Sequence, residues 1–134
     1  MPVRVLIVDD SEAIRRSVCS MLLGCTDLRV VGEARDGFQA INQSRVLQPD
    51  VILLDVSMPN LSGIEAVPRI HQVSPESKVL MFSLHDSSTA VIAALDAGAL
   101  GYLVKSDAEC DLLAGLRATG QGEAFFSSGV AAQN

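Results

Sequence analysis

Apolar and polar positions along the chain alternate between two periods. Val3 to Val8 is a β-branched and aliphatic run closed by Asp9 and Asp10, too short for a helix of its own, and predicts a strand. Behind it Ile14, Val18, Met21 and Leu22 fall at i, i+4, i+7 and i+8, the stripe of a helix that Ser11 is placed to cap and Gly24 to stop. The alternation then repeats. Leu28 to Ala34 reads as a strand and Gly37 to Leu47 as a helix. Val51 to Leu54, ending at Asp55, reads as a strand apolar on both faces and therefore buried on both. A loop with Met58, Pro59 and Gly63 leads into a helix over Ser62 to Val73, followed by a strand Lys78 to Phe82 and an Ala-rich helix over Ser87 to Ala97. A short strand Gly101 to Val104 and a last helix near Asp107 to Thr119 complete the pattern. Pro68 conflicts with its helix, because it cannot donate to the carbonyl of Ile64 and should bend or delay the first turn.

Five strand–helix pairs with short connections predict an α/β protein, a parallel sheet covered by helices on both faces, since right-handed crossovers place them there. A closed barrel needs eight such units and about 250 residues. The count of five therefore selects an open doubly wound sheet with strand order 2-1-3-4-5.

Composition narrows the function classes. With 49% hydrophobic and 19% charged residues in 134, the chain has material for one core of its own. The net charge is −6, and the ten basic residues are scattered, with only Arg15 and Arg16 adjacent, which argues against a nucleic-acid surface. No apolar run approaches the roughly 18 residues that span a bilayer and no signal-peptide pattern opens the chain, so the expectation is a cytoplasmic protein without a membrane partner. Cys19, Cys25 and Cys110 are odd in number and lack C-x-x-C spacing, which suggests neither a disulfide framework nor a zinc site.

In an open parallel sheet, ligands bind beyond the carboxyl ends of the strands where strand order reverses, here between strands one and three. Strand one ends in Asp9 and Asp10 and strand three in Asp55, so three carboxylates converge on one crevice. Any one of them could be a helix cap or a solvated strand end. Converging is another matter: two carboxylates about 5 Å apart repel by roughly 3 kcal/mol at an effective dielectric near 20, unless a cation or proton neutralises them. A hard divalent ion fits, and Mg²⁺, which takes few carboxylates, several waters and a phosphate, suits the crevice better than Ca²⁺. Strand four ends at Ser83 and strand five at Lys105. A hydroxyl, an ammonium and a metal together are the parts of phosphoryl-transfer chemistry. His71 and His85 lie apart without an acidic or histidine partner at ligand spacing and read as solvated residues.

The segments Val5-Leu6-Ile7-Val8-Asp9-Asp10, Pro49-Asp50-Val51-Ile52-Leu53-Leu54-Asp55 with Met58-Pro59 and Gly63, and Gly101-Tyr102-Leu103-Val104-Lys105 resemble the receiver domain of two-component response regulators. Within that CheY-like family the chain is most similar to NarL/FixJ-type (LuxR-like) transcriptional regulators, through its Gly-Tyr-Leu-x-Lys strand and the closing Gly122-Glu123-Ala124-Phe125-Phe126-Ser127. The resemblance implies a flavodoxin-like (βα)5 three-layer sandwich, with a receiver domain over residues 3–120 and a tail over 121–134 leading toward an output domain outside these residues.

The resemblance also implies roles. Asp55 is the phosphoacceptor, taking a phosphoryl group from a sensor histidine kinase. Asp10 and Asp55 bind Mg²⁺ directly with the backbone carbonyl of Ser57, and Asp9 helps through water. Lys105 pairs with Asp55 and then with the phosphoryl oxygens. Ser83 turns its hydroxyl toward the phosphoryl group, and Tyr102 rotates inward as Ser83 moves, changing the surface of the fourth helix, fifth strand and fifth helix. The implied partners are the kinase, a second copy in a phosphorylation-dependent homodimer, and DNA only through the output domain. Without the resemblance, Tyr102 reads equally well as a half-buried strand aromatic. Ser83 stands where many receivers have Thr, and Ser106 where many have Pro. Ser57 and His85 flank the site, where the family tunes hydrolysis of the phosphoryl group.

Four other readings compete. A Mg²⁺-dependent phosphatase-like hydrolase could use the same groups, but no Asp-x-Asp follows strand one and no inserted cap segment forms a substrate pocket. The chain is therefore expected to catalyse only its own phosphoryl transfer and loss, without turnover of external substrates. A receiver that stands alone, or one that only binds proteins, keeps the fold without the output domain or without the chemistry. A nucleotide-binding role lacks G-x-G-x-x-G and G-x-x-x-x-G-K-[ST].

Overall fold

The computed structural model describes residues 2–84, 87–105 and 109–127. Strands β1 (Val3–Val8), β2 (Leu28–Ala34), β3 (Val51–Asp55), β4 (Lys78–Ser83) and β5 (Gly101–Val104) alternate with helices α1 (Glu12–Leu23), α2 (Gly37–Leu47), α3 (Gly63–Val73), α4 (Ser88–Ala97) and α5 (Glu109–Gly120). The strands form one parallel sheet in the order β2-β1-β3-β4-β5, the α/β arrangement expected. His85, Ser106, the expected helix start at Asp107 and residues 128–134 of the tail lie outside the described residues.

Side-chain alternation along each strand builds two cores. Val5, Ile7, Val51, Leu53, Leu80 and Leu103 face Val18 and Leu22 of α1 and Leu112 and Leu116 of α5. Leu6, Val8, Ile52, Leu54, Met81 and Tyr102 face the other way, onto Ala40 of α2, Val67 and Ile70 of α3 and Val91 of α4. Every residue of β3 is buried, because helices cover both faces of a central strand.

Local chemistry explains the helix starts. Ser11, Asp36, Ser62 and Ser87 each accept a hydrogen bond from the backbone N–H three residues on. Ser62 and Glu65 also share a side-chain hydrogen bond of 3.0 Å. Pro68 neither interrupts nor delays α3, which is continuous from its capped start. Pro68 lies on the exposed face of the helix, where water can satisfy the carbonyl of Ile64, while Ala66, Val67 and Ile70 hold the buried face in place. Gly24 ends α1 as expected, but in a right-handed conformation with φ −79°, so its flexibility is not what stops the helix.

The chain does not leave the sheet at the end of α5. Tyr102 N–H donates to the Phe125 carbonyl at 3.0 Å and Ser127 N–H to the Tyr102 carbonyl at 3.2 Å, laying residues 125–127 along the outer side of β5. The Ser127 hydroxyl accepts from Val104 N–H at 3.1 Å. Phe125 and Phe126 pack into the two cores on opposite faces of the sheet. Gly101 makes this approach possible, because a side chain there would collide with the Phe125 carbonyl.

Candidate functional site

Parallel strands present their carboxyl ends on one side, and β1, β3, β4 and β5 end there in the residues with chemistry. Asp9, Asp10, Asp55, Ser57, Ser83 and Lys105 line a common cleft of about 210 Å³. Asp9, Asp10 and Asp55 each offer a carboxylate oxygen, and these oxygens lie within 4.8 Å of one another.

The three acids are not equivalent. Asp9 and Asp55 are buried, at 1% and 5% exposure, whereas Asp10 is exposed. The Lys105 ammonium sits between the buried pair, 2.7 Å from Asp9 Oδ2 and 3.3 Å from Asp55 Oδ1. Its nearer partner is thus Asp9 and not Asp55, because the two desolvated carboxylates share one ammonium while water solvates Asp10. The Lys105 ammonium also lies 5.5 Å from the centre of the Phe82 ring, within reach of a cation–π contact. Burial, and then the Asp9 carboxylate, hold the pKa of Asp55 up at about 6 against the opposing pull of Lys105.

Other contacts fix the backbone. Ser57 N–H points back to Asp55 Oδ1 at 3.4 Å. Gly63 N–H donates to the Val56 carbonyl at 2.8 Å, and α3 starts so close to Asp55 that a side chain on Gly63 would collide with the Asp55 carbonyl. Ser83 is buried at the cleft, and its carbonyl accepts from Lys105 N–H at 2.7 Å, tying the ends of β4 and β5 together. Tyr102 is fully buried and not half-buried. His71 is near the end of α3 with its ring over Gly98, away from the acids. Cys19 and Cys25 are free thiols.

Arg15 is the site's unexpected neighbour. The stripe expected on α1, Ile14, Val18, Met21 and Leu22, does pack on the core, Val18 and Leu22 fully buried and Ile14 and Met21 partly, but Arg15 is buried with them. Arg15 Nη1 donates to the Asp9 carbonyl at 2.6 Å, and Nε pairs with Glu33 Oε1 of β2 at 3.0 Å. The signal was present in the sequence: Arg15 stands three and seven residues before Val18 and Leu22, a charge on the apolar side of the helix that requires a buried partner.

A family model described as response regulator receiver domain matches residues 5–117. The chain is 38% identical over 130 residues to the response regulator protein VraR of Staphylococcus aureus, covering 97% of this chain and 62% of that protein. It is 46% identical over 107 residues to a protein-glutamate methylesterase/protein-glutamine glutaminase of Idiomarina loihiensis, covering 78% of this chain and 28% of that protein. The chain thus spans less than two thirds of the length of these relatives. Among solved structures, a LuxR-family two-component response regulator from Aurantimonas sp. SI85-9A1 superposes with a TM-score of 0.92 at 30% identity, over 98% of this chain and 94% of that one.

Proposed function

The chain belongs to the response regulator receiver domain family, and on that premise we propose that it is a phosphorylation-controlled switch whose acceptor is Asp55. The observation that carries this reading is the meeting of Asp9, Asp10 and Asp55 at one end of the sheet, with the Lys105 ammonium between the two buried acids. A carboxylate oxygen of Asp55 attacks the phosphorus of a phosphohistidine on a sensor histidine kinase. The P–N bond breaks as the P–O bond of an acyl phosphate forms, and the departing imidazole nitrogen is protonated. Lys105 is already in place to pair with the oxygens of the transferred group, and the Ser83 hydroxyl turns to donate to one of them. An apolar groove of about 390 Å³ between α1 and α5, lined by Ile14, Val18, Met21 and Leu112, opens beside Lys105 and offers the kinase a surface next to the acceptor.

The donor set is hard oxygen throughout, and a cluster of three carboxylates with one ammonium paired to it among the described residues is suited to a divalent cation. Asp10, Asp55 and the Ser57 carbonyl would hold Mg²⁺, with Asp9 acting through water. Bound there, Mg²⁺ supplies positive charge to the transferring phosphoryl group. Tyr102 is buried in the cluster that also holds Val91 and Ala94 of α4, which supports a switch in which a movement of Ser83 repacks Tyr102 and alters the surface of α4, β5 and α5. The signal passes to a DNA-binding output domain, through a phosphorylation-dependent homodimer, in a cytoplasmic protein. Among the described residues no helix is long and apolar enough to cross a membrane.

Incubation with acetyl phosphate and Mg²⁺ is expected to add one phosphoryl group by intact mass. Asp55→Asn removes the added mass. Retention of the mass in that variant would place the acceptor elsewhere. Multiple turnover of small phosphate esters would instead revive the hydrolase.

A further inference from the structure

Asp9 is held at every polar atom. Its N–H donates to the Ala34 carbonyl at 3.1 Å, Oδ1 accepts from Ser11 N–H at 2.9 Å, and Oδ2 takes the Lys105 ammonium at 2.7 Å. The remaining atom, its carbonyl oxygen, receives the Arg15 guanidinium at 2.6 Å. That carbonyl belongs to the peptide unit joining Asp9 to Asp10. Asp10 is exposed and forms no ion pair with a described residue, so the orientation of this peptide unit decides where its carboxylate stands.

The guanidinium is itself held. Its side chain is 10% exposed and Nε pairs with Glu33 at 3.0 Å. The second oxygen of Glu33 faces the Cys19 thiol, one helical turn beyond Arg15, at 3.8 Å. Glu33 is thus held from two points of α1, and the rigid fork of Arg15 spans from β2 to the end of β1. A lysine has the charge but not the fork, and cannot keep both directions at once.

We propose that Arg15, backed by Glu33, is a positioning residue that sets the Asp9–Asp10 peptide and thereby the divalent-cation site; this rests on the functional reading above. Partners that orient a metal's ligands without touching the metal are conveniently tested by charge-conserving exchange, since the long-range field stays the same.

The test is calorimetric titration of the whole chain with Mg²⁺ in the absence of a phosphodonor, for wild type, Arg15→Lys, Glu33→Asp and Arg117→Lys. Arg117 pairs with Asp27 on the molecular surface and serves as the control. Arg15→Lys should weaken Mg²⁺ binding about 10-fold or more, Glu33→Asp should weaken it less, and Arg117→Lys should leave it unchanged. With acetyl phosphate, the Mg²⁺ concentration giving half-maximal phosphorylation should rise in proportion, with the saturated rate less affected. Unchanged Mg²⁺ affinity in Arg15→Lys and Glu33→Asp, with only a lower Tm, would make Arg15 a structural residue and overturn the proposal. Should Arg15→Lys fail to fold, Glu33→Asp decides alone, its side chain being 47% exposed. A wild-type chain that binds no Mg²⁺ would overturn the functional reading and this one with it. Wild-type binding with indifferent variants would overturn this one only.

Discussion

Asp55 works against its own ionisation. In the folded protein it takes up its proton near pH 6, against an ordinary value of 3.8, because burial and the Asp9 carboxylate both disfavour its charge. The folded state therefore binds this proton more tightly than the unfolded chain does, and stability falls as pH rises through that interval. The full displacement corresponds to at most about 3 kcal/mol, which solvent reaching the cleft reduces to about 1–2 kcal/mol. Asp55→Asn in metal-free buffer is expected to raise the unfolding free energy by about that amount at pH 7, measured by urea titration, and to flatten the dependence between about pH 4 and 6. Addition of Mg²⁺ should stabilise the wild type more than the variant, because only the wild type gains all three carboxylates as partners for the ion. A variant no more stable than the wild type at pH 7 would mean that Lys105 already compensates the charge.

At the scale of elements, the start of α3 is the part of the site with least tolerance. Gly63 packs against the carbonyl of Asp55 with no room for a side chain. Gly63→Ala should cost about 1–3 kcal/mol through forced displacement of the helix from the strand end. The same displacement should slow phosphorylation of Asp55 from acetyl phosphate at saturating Mg²⁺; an unchanged rate would show that the acceptor does not depend on this contact. The elements themselves were legible in the sequence because each apolar run is short, bounded by caps, and of one period. The strand ends Asp9, Asp10, Asp55, Ser83 and Lys105 followed from topology alone. That Arg15 needs a buried partner was legible from its place three and seven residues before Val18 and Leu22, but that this partner is the Asp9 carbonyl was not, since it depends on how α1 docks against the end of β1, with Arg15 buried beside Ile14. Nor was the sharing of Lys105 between two acids, which depends on which carboxylates are desolvated. Phe125 and Phe126 were conspicuous in a polar tail, but their separation onto opposite faces needs the hydrogen bonds of a strand lying on β5.

For the whole molecule, those two rings mean that the fold uses its chain to Ser127. A chain ending at Gly120 loses both aromatic contacts and the Ser127 hydroxyl, and should be less stable by about 2–4 kcal/mol in urea unfolding. Unchanged stability would show the segment to be a passenger. The strand-like pairing also bears on how copies of this protein can meet. An open sheet has two outer rows of backbone groups, each able to pair with another chain. On one side residues 125–127 occupy positions along β5. On the other, β2 carries the exposed charges Arg29 and Glu33 and a register shift opposite Val5 and Leu6. Both rows are thus guarded, one by the chain itself and one by charge and irregularity. Sheet extension between copies is thereby disfavoured, so the homodimer proposed above would have to form through helix faces, which can part again, and not through a shared sheet, which would tend to lock the copies together.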